Sequence, residues 1–91
     1  MVLLAHEVWE DPDNHSFEFG LAHPSKDAFR EEREPNARLL HVIFAASYNA
    51  AMQLYYEWQG WGDYNAVEEY DTVYTDVHLQ EQKLLRPELY R

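Results

Sequence analysis

The chain has 91 residues, no cysteine, and 17 acidic against 7 basic side chains, for a formal net charge of −10. That length holds one ordinary domain rather than two cores, and the lack of cysteine excludes a disulfide scaffold, a Cys-ligated zinc site and a thiol nucleophile together. The acid excess argues against nucleic acid and anionic membrane as partners, because binding either depends on Lys and Arg displacing counterions, and no Lys or Arg lies between Arg38 and Lys83.

Along the chain, Met1-Val2-Leu3-Leu4-Ala5 is an apolar run of five residues without a basic flank, too short for a secretory signal or a membrane span. A cytoplasmic location is the expectation, and the sequon Asn14-His15-Ser16 is then accidental. Val2 to Trp9 is rich in strand formers, Asp11-Pro12-Asp13-Asn14 is turn chemistry, and Ser16 to Leu21 alternates with Phe17, Phe19 and Leu21 on one face. These 22 residues predict a β-hairpin. Pro24-Ser25 then opens a short polar helix to about Arg33, with Ser25 as N-cap and Ala28 and Phe29 facing inward, and Glu34-Pro35-Asn36 stops it.

Leu39 to Ala46 has two readings. It begins one long helix running to Gln59, or it is a strand followed by a helix capped at Ser47; Val42-Ile43-Phe44 and the cap residue just after them favour the strand. Tyr48 to Gln59 is helical either way. Gly60 occupies the place of a left-handed cap, which turns Trp61 back onto Tyr55 or Tyr56. Residues 63–75 read as an acidic, irregular connection. A last helix runs from about Asp76 to Arg86, capped by Thr75 or Asp76, with Leu79, Lys83 and Arg86 in one row and Pro87 ending it. The fold class expected is α+β: a small antiparallel sheet in β-β-α-β-α order, helices packed on one face, and a C-terminal helix.

The segment Ser47-Tyr48-Asn49-Ala50-Ala51-Met52-Gln53-Leu54-Tyr55-Tyr56-Glu57-Trp58-Gln59-Gly60-Trp61-Gly62-Asp63-Tyr64 resembles one found in an uncharacterised family of small acidic bacterial proteins, where it also follows a strand-like apolar stretch and a Ser. It covers about a fifth of the chain. The family has no established activity, so the resemblance implies a bacterial, cytoplasmic protein with a strand over 39–46 and transfers no catalytic residue.

Several constellations fail on spacing. His6, His15, His23, His41 and His78 never fall at the i, i+2 or i, i+4 separation that aims two imidazoles at one ion, and His6-Glu7-Val8-Trp9-Glu10 lacks the second His of a zinc-protease helix. Asp11, Asp13 and His15 open like a calcium loop, but its sixth and twelfth positions are Ser16 and Ala22 instead of Gly and Glu. Glu31-Glu32, Glu68-Glu69 and Asp71 read as solvated acids, and three scattered glycines build no phosphate loop. No metal, no cofactor and no catalytic residue is expected.

What remains is the aromatic cluster Tyr55, Tyr56, Trp58, Trp61 and Tyr64. On the helix Tyr48, Ala51, Met52 and Tyr55 share one stripe and Ala50, Leu54 and Trp58 the adjacent one, an apolar arc wider than one sheet face covers. Either all of it is core in a chain short of other core material, or part of it is exposed as a protein-interaction face, with a second copy among the partners considered. Two other readings stand beside it. The acid-rich second half would dock an inhibitor-type or immunity-type protein on a basic partner, and His41 beside a carboxylate would serve a small ligand or an enzyme.

Overall fold

A computed structural model describes residues 1–90. Strand β1 (Leu4–Asp11) turns through residues 12–15 into β2 (Ser16–Leu21), and the two pair antiparallel from Asp11↔Ser16 to His6↔Leu21. The turn is held locally. Asp11 accepts the Asp13 backbone N–H at 3.1 Å, and His15 takes φ 52°, a left-handed conformation in which His is enriched among non-glycine residues. β1 starts two residues later than the sequence suggests and runs two residues further.

Helix α1 (Pro24–Arg33) follows, and here two expectations fail. Its N-cap is His23, not Ser25: Pro24 occupies the first helical turn, where a missing N–H costs nothing, and His23 Nδ1 accepts the Ser25 N–H at 3.0 Å. Ala28 and Phe29 face solvent, and the residue α1 buries is Arg30.

Strand β3 (Arg38–Ala45) is a strand and not the start of a long helix. It pairs antiparallel with β1, giving the sheet order β2-β1-β3 with β1 in the centre. Val8 pairs with His41 and Trp9 with Leu39, so Leu40 is an extra residue that bulges β3. Ser47 then caps α2 (Tyr48–Gln59), its hydroxyl accepting the Ala50 N–H at 3.1 Å. Gly60 ends that helix at φ 77°, where a Cβ would be strained, and its N–H closes on Glu57 and Tyr56. After a 3-10 turn at Glu68–Tyr70 and an isolated bridge between Ser47 and Val73, helix α3 (Asp76–Leu85) is capped by Thr75 in a reciprocal box with His78.

The α+β class and the strand–helix order are therefore as expected. Side chains of β1 alternate between faces. His6 and Val8 point to one face, where Val8, Ile43 and Tyr55 form the core with Phe19, Met52 and Tyr56 of β2 and α2 packed against it. Removing an aliphatic side chain such as Val8 or Ile43 from water contributes about 1.5–3 kcal/mol. Glu7 and Trp9 point to the other face, which is covered by Arg30 from α1 and Arg86 from the end of α3.

Gln82 of α3 joins this sheet as if it were a residue of it. Its carbonyl oxygen accepts the Ala5 N–H at 2.9 Å, and its amide donates to the carbonyls of Ala5 and Ala22 at 3.0 and 3.3 Å. The β1–β2 ladder thus ends on a side-chain amide from the far end of the chain. No helix among the described residues is long and apolar enough to cross a membrane.

Candidate functional site

Two buried polar groups and one exposed apolar surface are the candidate sites of this fold, and their geometry separates them. His6 is 1% exposed. Its Nδ1 lies 3.1 Å from the Leu4 carbonyl and 3.3 Å from that of Ile43, acceptors only, so Nδ1 carries the proton. Nε2 then accepts the Tyr74 hydroxyl at 2.7 Å. Burial lowers the His6 pKa against the opposing pull of those two carbonyls, and the Lys26 charge lowers it further. Burial, followed by Asp71 and Tyr48, pushes Tyr74 up to about 12. Both groups stay neutral and satisfied, as a polar piece of core.

This pair carries a pH dependence. The His6 pKa is 6.5 in the unfolded chain and lower in the folded one, so between those values the unfolded state binds more protons. The contribution is complete above pH 6.5 and is lost as the pH falls toward the folded value, with a slope of at most about 1.4 kcal/mol per pH unit. Urea midpoints measured from pH 7.5 to 5 are expected to fall more steeply for the native chain than for His6→Gln. Parallel curves would refute the buried neutral His6.

On the opposite face, Glu7 accepts three hydrogen bonds and makes one further ion-pair contact. Arg86 Nη2 reaches its Oε2 at 3.1 Å, while Arg86 Nη1, Arg30 Nη2 and Trp9 Nε1 approach Oε1 at 3.5, 3.6 and 3.3 Å. Arg30 also binds Glu18 at 2.9 Å and Asp27, and stacks on Trp9 at 3.9 Å. Arg86 binds Asp27 at 3.1 Å and Glu88. Burial opposes the charge of Arg86, but hydrogen bonds to Glu88 and Glu7 and the fields of Glu7 and Asp27 raise its pKa overall. A cleft of about 450 Å³ opens beside this cluster. Beside it Glu7, Asp27 and Glu88 pair with Arg30 and Arg86, which fastens α1 and the end of α3 to β1, while Glu31 and Glu34 line the cleft as well.

The aromatic cluster is divided by the fold. Tyr55 is buried, stacked on Phe19 with ring centroids 4.3 Å apart. Tyr56 is half-buried beneath Trp61 and Tyr64, whose rings meet it edge-on at 5.3 and 5.2 Å. Trp61 also meets Tyr55 edge-on at 5.5 Å, so the expected fold-back after Gly60 involves both tyrosines. Trp61 nevertheless stays 56% exposed. Tyr64 is half-buried and tied to α2 by its backbone N–H on Gln53 at 2.9 Å.

The other flank of α2 carries Leu54 and Trp58, 42% and 40% exposed, and Trp58 stacks on His41 of β3 at 5.5 Å. His41 is thus an exposed strand residue that extends the aromatic flank, with no carboxylate bonded to it among the described residues and outside the cleft at Glu7. Around it, β3 leaves Leu39, Leu40 and Phe44 exposed. Sequence reasoning missed Glu7, Arg30, Gln82 and the His6–Tyr74 pair. The available signal was an acid and a histidine, Glu7 and His6, inside the otherwise apolar stretch from Val2 to Trp9.

Among the described residues, no group of three or more His, Asp or Glu is placed to hold a metal ion. No protein-family model, no curated protein and no solved structure matches the chain.

Proposed function

We propose that this chain is a non-catalytic protein-interaction domain whose contact surface is the exposed flank of α2, Leu54, Trp58 and Trp61, continued by His41 and the apolar side chains of β3. The observation that carries the reading is that these residues remain open to solvent in a small chain that needs core material, while every buried polar side chain has a partner. Tyr55 belongs to the core that supports this surface, and Tyr56 and Tyr64 brace Trp61. Trp and Tyr bring large contact area with little loss of conformational freedom, which is why they dominate binding hot spots.

A photo-crosslinking residue placed at Leu54 or Trp61 is expected to give one discrete protein adduct in cells. Val77 and Leu84, more exposed still but on α3, should give none. Equal labelling from both pairs of positions, or no adduct from either, would remove this reading.

A separate observation favours a second reading. Glu57, Asp63, Glu68, Glu69, Asp76 and Glu81 are exposed, and none of them forms an ion pair among the described residues. Such a face suits an inhibitor-type protein docking on a basic partner, with fast, salt-sensitive association. High salt would then abolish the adduct, whereas an apolar contact survives it.

A further inference from the structure

We infer that the partner is a second copy of this chain, joined through the outer edge of β3 so that two three-stranded sheets become one of six strands. The inference rests on the interaction reading above and names its occupant.

The edge is open and suited to pairing. Ala5 directs its N–H and C=O to Gln82 and Ala22, on the β2 side of the sheet. Its antiparallel partner Phe44 therefore directs its own away from β1, and so, two residues earlier, does Val42, the partner of Glu7. Just past the end of the strand the same row is closed, by Tyr74 N–H on the Ala46 carbonyl at 2.9 Å and Tyr48 N–H on that of Thr72 at 3.0 Å. Between Arg38 and Ala45 no further strand and no backbone hydrogen bond from another element closes it among the described residues. Edge strands are ordinarily protected by Lys, Pro or an inward charge. From Leu39 to Ala45 this strand has none of them, only the bulge at Leu40.

Charge selects the occupant. From Pro35 to Tyr56 the sequence has no acidic residue, the longest such run in a chain of net charge −10. This run holds β3 and nearly all of α2, so two like-charged copies repel least when they meet here. A foreign partner chosen by charge would instead be basic and would meet the acid-rich residues 57–81.

Antiparallel pairing about a two-fold axis through Val42 sets Val42 against Val42 of the second copy and places Leu40 opposite Phe44. Equivalent faces are continuous across such a seam. Leu54 and Trp58 of the two α2 helices then flank it on one side, and Leu39 and Phe44 on the other. The eight residues of β3 and about six of α2, at the usual area per interface residue, bury on the order of 500 Å² per copy, about 1,000 Å² in all. This is the lower limit of specific interfaces, and a dissociation constant in the micromolar range is expected.

The test is sedimentation of the full chain between about 5 and 500 μM, with amide hydrogen exchange at both ends of that range. Dimerisation should tighten when salt is raised, because screening weakens the repulsion between copies. The Val42 and Phe44 amides should be protected only in the concentrated sample. Val42→Pro removes an outward N–H without touching the β1 ladder and should weaken the dimer at least tenfold; if circular dichroism shows that it does not fold, exchange in the native chain decides alone. A monomer throughout the range overturns the inference, as does a dimer whose Val42 and Phe44 amides exchange freely. Either result leaves the interaction reading standing if the Leu54 crosslink yields an adduct with another protein, and that reading falls only if the crosslink is absent or nonspecific.

Discussion

Replacing Glu7 by Ala is expected to lower folding stability by about 3–5 kcal/mol, the usual cost of removing one member of a buried ion cluster. The reason is what stays behind. Arg30, with its side chain 5% exposed, and Arg86, at 16%, would keep their positions on the sheet without the carboxylate they share. Glu18, Asp27 and Glu88 remain, but they sit toward solvent and cannot take the central place. Glu7→Gln should cost less, because its amide oxygen still accepts from Arg86. A domain of this size has only about 5–15 kcal/mol in total, so the Ala variant should be partly unfolded at 37 °C. Urea unfolding followed by tryptophan fluorescence measures the difference, and a loss below about 1 kcal/mol would show the cluster to be surface decoration.

The second large effect is expected at Gln82. Gln82→Ala leaves the Ala5 N–H without an acceptor and the Ala22 carbonyl without a donor, both in buried backbone. It also deprives the Tyr90 hydroxyl of its acceptor. At about 1–3 kcal/mol for each buried group left unpaired, the loss should be about 3 kcal/mol. The Ala5 amide should also exchange faster.

Gln82→Glu makes a finer test. A carboxylate still accepts from Ala5 N–H, but it faces the carbonyl oxygens of Ala5 and Ala22, which reject its charge. The folded-state pKa of that Glu is then raised above its unfolded value of about 4.3. Its stability contribution is complete below about 4.3 and is lost as pH rises toward the folded value. Relative to the native chain, this variant should therefore regain stability on acidification. A constant difference between the two across pH 4 to 7 would refute the splice.

Local chemistry was readable from the sequence. The hairpin follows from the turn residues and the alternation of Phe17, Phe19 and Leu21, and α2 follows from Ser47 at one end and Gly60 at the other. Where reading failed, the cause was distance along the chain. α1 buries Arg30 because Glu7 and Trp9 draw it inward from another element, while its own apolar pair, Ala28 and Phe29, stays exposed. Glu7 and Gln82 carried no local signal of their roles because their partners lie 79 and 77 positions away. The N-cap of α1 was a different case. Proline prefers the first helical position, so the residue before Pro24 was the better choice from the outset. For the aromatic surface, spacing predicted a surplus on α2, but only the β3 contact of Trp58 shows on which flank it lies.

The splice at Gln82 also sets an order of events during synthesis. β1 is the middle of the sheet, yet its backbone is completed only by a residue made 77 positions later. Until α3 has left the ribosome, Ala5 and Ala22 have no amide to close on, and Glu7 waits for Arg86. This unit should therefore stay open until α3 has emerged and then close in one step.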